Sequence, residues 1–154
     1  MPEPIVINGA EEMKAKAGQH LGYSDYMVVT QEQVNLFAEA TGDHQWIHVD
    51  PERAKAESPF GGPIAHGYLT LSLGPFLYPQ VVKITGFKMG VNYGANKVRF
   101  PSPVPVGARV RLGVKILDVK EIPGGIENTM EFTYEVEGAP KPSCVAEIIF
   151  RSYE

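Results

Sequence analysis

Two short segments hold the side chains that acid/base chemistry would need. Residues 41–48 read Thr41-Gly42-Asp43-His44-Gln45-Trp46-Ile47-His48, and residues 61–67 read Gly61-Gly62-Pro63-Ile64-Ala65-His66-Gly67. Hydrating an alkene requires a water to be deprotonated towards one carbon while a proton is delivered to its neighbour. A carboxylate and an imidazole on one loop, here Asp43 and His48, can hold a single water between them and reach one face of the double bond. Gly67 follows a Gly/Pro loop and opens an apolar helix. With no side chain it lets a carbonyl oxygen approach a backbone amide, where the helix dipole favours developing negative charge. Together these groups suit addition or removal of water beside a thioester carbonyl. A plainer alternative makes Asp43 a turn residue after Gly42, His48 a surface histidine and Gly67 a packing contact.

Residues 37–73, FAEATGDHQWIHVDPERAKAESPFGGPIAHGYLTLSL, resemble the hydratase motif of the MaoC-like, (R)-specific enoyl-CoA hydratases. That motif runs Gly-Asp-x-Asn-Pro-hydrophobic-His, then Asp-Pro, then a Gly-Pro-Ile-x-His-Gly helix entry. The chain keeps Gly42-Asp43, His48, Asp50-Pro51 and the Pro63-to-Gly67 entry, and departs at Gln45 and Trp46, where Asn and Pro are usual. The resemblance implies a hotdog fold and Asp43 and His48 as the catalytic pair. It further implies a thioester carbonyl polarised by the Gly67 amide, an (R)-3-hydroxyacyl product, and no cofactor beyond the thioester carrier. Two rival readings keep the fold and change the activity. One is a thioesterase, and the other is a non-catalytic acyl-thioester binding subunit.

Other residues are candidates for substrate contact. His66 is expected at the helix entry with its ring on loop carbonyls. Gln45 retains an amide that can brace the loop, and Trp46 narrows the acyl pocket or packs over the Asp43 loop. Asn92 borders the site, while Lys97 and Arg99 alternate on one strand face and can pair with CoA or carrier phosphates. A metal centre on His44 and His48 is not expected: Gly42 and Pro51 bracket a loop, no Glu follows His44, and no cysteine is near.

The elements that must position these residues follow from local signals. Thr30 and Gln33 form a capping box, Val34, Phe37 and Ala38 share one helical face, and Gly42 stops that helix, leaving Asp43 just beyond it. Asp50-Pro51 starts another short helix. Residues 66–78 are nearly all apolar and read as one long buried central helix, with Pro75 awkward in its middle. A short helix is expected over 11–17 and strands over 23–29, 91–100, 108–121, 126–137 and 143–153, with a hairpin turn at Pro123-Gly124-Gly125. This is α+β: one hotdog domain over residues 1–154, with an antiparallel sheet wrapped on a central helix.

Bulk composition narrows the partners. The chain has 154 residues, 44% hydrophobic and 21% charged, with net charge −4, which argues against nucleic acid as a partner. Its single cysteine, Cys144, lies in an apolar strand and reads as a buried inert thiol in a reducing, cytoplasmic setting. Met1-Pro2-Glu3-Pro4 lacks the basic-then-apolar pattern of a signal peptide, and no apolar run is long enough to span a membrane. Unpaired sheet edges predict a homodimer.

Overall fold

A computed structural model describes residues 3–154; Met1 and Pro2, part of the N-terminal segment without a signal-peptide pattern, lie outside the described residues. In chain order the elements are β1 (Ile5–Asn8), α1 (Gly9–Ala15), β2 (His20–Tyr23), β3 (Met27–Val28), α2 (Gln31–Thr41), α3 (Trp46–Val49) and α4 (Pro51–Glu57). They continue with α5 (Gly67–Ser72), α6 (Gly74–Leu77), a 3-10 turn (Tyr78–Gln80), β4 (Val82–Thr85), β5 (Met89–Arg99), β6 (Arg109–Ile122), β7 (Gly125–Val136) and β8 (Cys144–Tyr153). The main sheet runs β2-β6-β7-β8-β5, with β3 also on β6, and every pairing in it is antiparallel. The architecture is the α+β hotdog. The expected strand over 23–29 is split into β2 and β3. The parallel pair β1–β4 carried no clear sequence signal, because each strand is only four residues long.

Burial along β7 alternates residue by residue, so Ile126, Asn128, Met130, Phe132 and Tyr134 face the core. Leu69, Leu73 and Leu77, four apart, bury one face of the α5–α6 segment in that same core. The capping signals hold at α2: Thr30 Oγ1 accepts from the Gln33 amide, and Gly42 takes φ 82°, a left-handed stop. Asp50 likewise caps α4, accepting from the Arg53 amide.

The long central helix is not continuous. Pro75 has no N–H to give the carbonyl four residues earlier, which is that of Leu71. The helix therefore breaks into α5 and α6, and the Tyr134 hydroxyl donates to the stranded Leu71 carbonyl at 2.7 Å. Gly74 makes room for this: a Cβ there would sit 2.7 Å from the Tyr134 oxygen. Nor is the segment buried all round, since Tyr68 and Phe76 are 72% and 64% exposed.

Replacing Tyr134 with Phe should remove the hydroxyl donor to the part-buried Leu71 carbonyl and lower stability by about 1–3 kcal/mol. Urea denaturation should show an earlier midpoint with an unchanged slope. An unchanged midpoint would mean that water satisfies Leu71 equally well.

Candidate active site

Residues 63–65 form an extended strap between α4 and α5, tied on both sides. The Ile64 amide donates to the Ile47 carbonyl at 3.0 Å, and the Ala65 amide to Val104 at 2.8 Å. The strap carries the Ile64 carbonyl to the His48 ring, whose Nδ1 lies 2.7 Å away. A carbonyl only accepts, so His48 Nδ1 holds the hydrogen and Nε2 keeps its lone pair. His66 Nε2 lies 3.0 Å from the backbone carbonyl of Asp43 and by the same logic donates to it. The two imidazoles stack with centroids 3.9 Å apart, and Phe37 packs against His66.

Asp43, His48 and His66 are thus brought together, with one potential ligand or acid/base atom from each within 4.8 Å of the others. Asp43 is exposed, whereas His48 and His66 are 6% and 2% exposed. Burial is the main force pushing the His48 pKa below the usual 6.5; the Ile64 carbonyl opposes it, His66 reinforces it and Asp43 opposes it. His66 Nδ1 is buried without a hydrogen-bond partner among the described residues. A carboxylate, a free imidazole nitrogen and a second imidazole form an acid/base set, and the same donor types can ligate a divalent ion. That set is not the His44 and His48 pair weighed from spacing. His44 faces Glu39 at 3.5 Å, and His48 sits on the one-turn helix α3 rather than in a loop.

Gly67 and His48 line one open cavity of about 320 Å³, together with Phe60, Thr70, Phe100 and Ser143. A Cβ at Gly67 would meet the Phe100 ring at 3.2 Å. The first amides of α5 have no carbonyl in a preceding turn to bond. With only six residues α5 carries little macrodipole, so any charge stabilisation here falls to the amide itself.

The remaining candidates lie elsewhere. Gln45 is exposed, and its backbone N–H, not its side chain, reaches Asp43 Oδ1 at 3.3 Å. Trp46 is half-buried, with the Arg53 guanidinium over its ring at 4.2 Å, and it is not among the residues lining the cavities at His48, Leu71 and Asn128. Arg99 pairs in register with Val145 and binds the Val98 carbonyl, while Lys97 sits 4.0 Å from Glu147. Both are exposed and outside the His48 cluster. Asn92 lines two other cavities, of about 670 and 310 Å³, beyond the far end of α5. Sequence reasoning missed Gln31, whose Nε2 donates to the His48 carbonyl at 2.8 Å, because only the fold carries α2 alongside α3. Cys144 is buried as expected, and burial pushes its thiol up to about 12.

Comparison with known proteins gives the family and the fold. The family model described as MaoC like domain matches residues 12–138. A 3-hydroxyacyl-thioester dehydratase Z of Mycobacterium tuberculosis is 55% identical over 141 residues, covering 91% of this chain and 93% of its own. Among solved structures, the (R)-hydratase of A. caviae involved in PHA biosynthesis matches with TM-score 0.70 and 25% identity, over 87% of this chain and 94% of that one. The monoamine oxidase regulatory protein of Archaeoglobus fulgius reaches TM-score 0.80 over 99% of both chains at 20% identity, a likeness of fold. The chain belongs to the MaoC-like dehydratase family and is an enzyme of the hydro-lyase class.

His48 in the folded protein should titrate below 6.5, read from its ring proton shifts by NMR. Its proton binds less readily in the folded than in the unfolded chain. The stability it contributes is therefore complete above 6.5 and is lost as pH falls through the lower folded value. A midpoint above 6.5 would mean that Asp43 outweighs burial.

Proposed function

We propose that the enzyme reversibly hydrates trans-2-enoyl thioesters to (R)-3-hydroxyacyl thioesters, with Asp43 and His48 as the acid/base pair. The observation that carries this reading is the Ile64 carbonyl on His48 Nδ1, which commits the other ring nitrogen to act as a base. In hydration His48 Nε2 takes a proton from a water that the Asp43 carboxylate orients. The water oxygen adds to Cβ, and the acid/base pair returns a proton to Cα on the same face. The Gly67 amide hydrogen-bonds the thioester oxygen as it gains enolate charge. The acyl chain occupies the apolar 670 Å³ cavity against Leu71, Tyr78 and Phe150. The carrier is CoA or an acyl carrier.

The sheet edge supports a homodimer. Among the described residues, strand β5 is an edge paired only to β8, and it exposes Met89, Val91 and Tyr93, with Phe100 just beyond it. Light scattering at micromolar concentration should return about twice the 16.9 kDa chain mass; the chain mass itself would refute the dimer. The lone buried thiol of Cys144 fits a reducing cytoplasm.

Asp43→Asn and His48→Gln should each lower kcat for crotonyl-CoA hydration by about 10²–10⁴-fold. The double variant should lose far less than the product, because both groups act on one water. Melting curves confirm folding, and chiral analysis of the product checks the (R) configuration. A folded Asp43→Asn enzyme with near-normal turnover refutes the mechanism, and release of free CoA points to a thioesterase. Dialysis against a chelator should leave the rate unchanged; loss restored by zinc would reassign Asp43, His48 and His66 as metal ligands.

A further inference from the structure

Asn128 is a polar residue on the core face of β7, between Ile126 and Met130, and is 2% exposed. Its Nδ2 has no hydrogen-bond partner among the described residues. Buried amides are nearly always bonded, because leaving such a group unpaired in an apolar interior is costly. Asn128 pairs in register with Phe150 on β8, and Phe150 pairs with Asn92 on β5. Residues directly opposite in antiparallel strands share a face. The three side chains therefore form one row across the sheet, an aromatic ring between two amides.

This row borders a cavity of about 310 Å³ that Ser152 and Lys88 also line, with apolar walls at Ile84 and Phe87. It adjoins the 670 Å³ cavity, sharing Tyr78, Asn92 and Phe150 with it. Tyr78 and Phe150 stack with centroids 5.4 Å apart and form the partition. The first chamber is apolar; the second has an unpaired amide at its wall. A plain hydrocarbon tail entering it would leave the Asn128 N–H unpaired. A tail carrying an oxygen would accept the free N–H.

We infer that the chamber at Asn128 is a distal subsite for acyl chains bearing a hydroxyl or keto oxygen far from the thioester. The inference rests on the reading that the larger cavity takes the acyl chain. Asn92, at the junction of the two chambers, then contacts the tail and not the thioester end. Selectivity of this kind is strong in one direction, since a site built to bond an oxygen penalises the analogue that lacks it.

The test is calorimetric binding of saturated acyl-CoAs from eight to fourteen carbons, each with and without a terminal hydroxyl. Saturated chains bind without turning over, so the result does not depend on hydration. At the lengths that reach the chamber, the hydroxylated compound should bind about tenfold or more tightly, the worth of satisfying one buried donor. Asn128→Leu, checked by thermal melt, should abolish or reverse that preference. Equal affinities at every length for the wild-type protein would overturn the inference, as would a folded Asn128→Leu variant that keeps the preference. Crotonyl-CoA turnover by the wild-type enzyme separates the two readings. A wild type inactive on crotonyl-CoA yet selective in binding would refute the hydration chemistry and support the subsite.

Discussion

The arrangement of the candidate site hangs on one extended strap, residues 63–65. It is tied to Ile47 on one side and to Val104 on the other, so its carbonyls point in fixed directions. The Ile64 carbonyl selects the tautomer of His48, and the strap then delivers His66 and Gly67 to the start of α5. Pro63 suits this role, because an extended backbone with a fixed φ costs less entropy to order. Without the strap the His48 ring would rotate, and either nitrogen would be open to solvent.

Burial does the rest of the electrostatic work. The two stacked imidazoles lie mostly out of water, and two charges 3.9 Å apart in a low-dielectric site would repel strongly. His48 is therefore held towards its neutral form, and each ring donates one N–H to a backbone carbonyl. Asp43 differs in kind: it sits past the αL stop at Gly42, exposed, with its carboxylate oriented by the Gln45 amide. The short segment from Gly42 to His48 thus holds an accessible anion beside a sheltered base, the combination that the proposed acid/base pair requires.

The sheet and the broken central helix solve a packing problem together. A proline in an apolar helix would normally leave a buried carbonyl without a donor. Tyr134, reaching from β7, supplies it, and Gly74 gives it space. Two cavities lie against the sheet, one beside this helix segment and one beside β4 and β5, with Tyr78 and Phe150 stacked between them. Asn128 is the one residue of its β7 face that breaks the apolar pattern, and it faces a cavity rather than packed side chains.

Much of this was legible in the chain because the signals are local. The Thr30 and Asp50 caps and the Gly42 stop arise from neighbours a few residues apart, and each stands as expected. The helix break at Pro75 was visible as a conflict, but its resolution was not, since the compensating hydroxyl lies 63 residues beyond Leu71. The polar Asn128 in an otherwise apolar strand face was a signal that sequence reading passed over. Trp46 shows the limit most plainly: its position in the motif allowed either a pocket wall or a packing contact, and only the fold sets the Arg53 guanidinium over its ring. Likewise, residue types alone named the two histidines, but which nitrogen of each is free depends on carbonyls 16 and 23 residues away. Sequence determines which chemistry is available and where helices and strands start. Only the tertiary structure aims each ring, because aim is set by contacts between segments that meet only on folding.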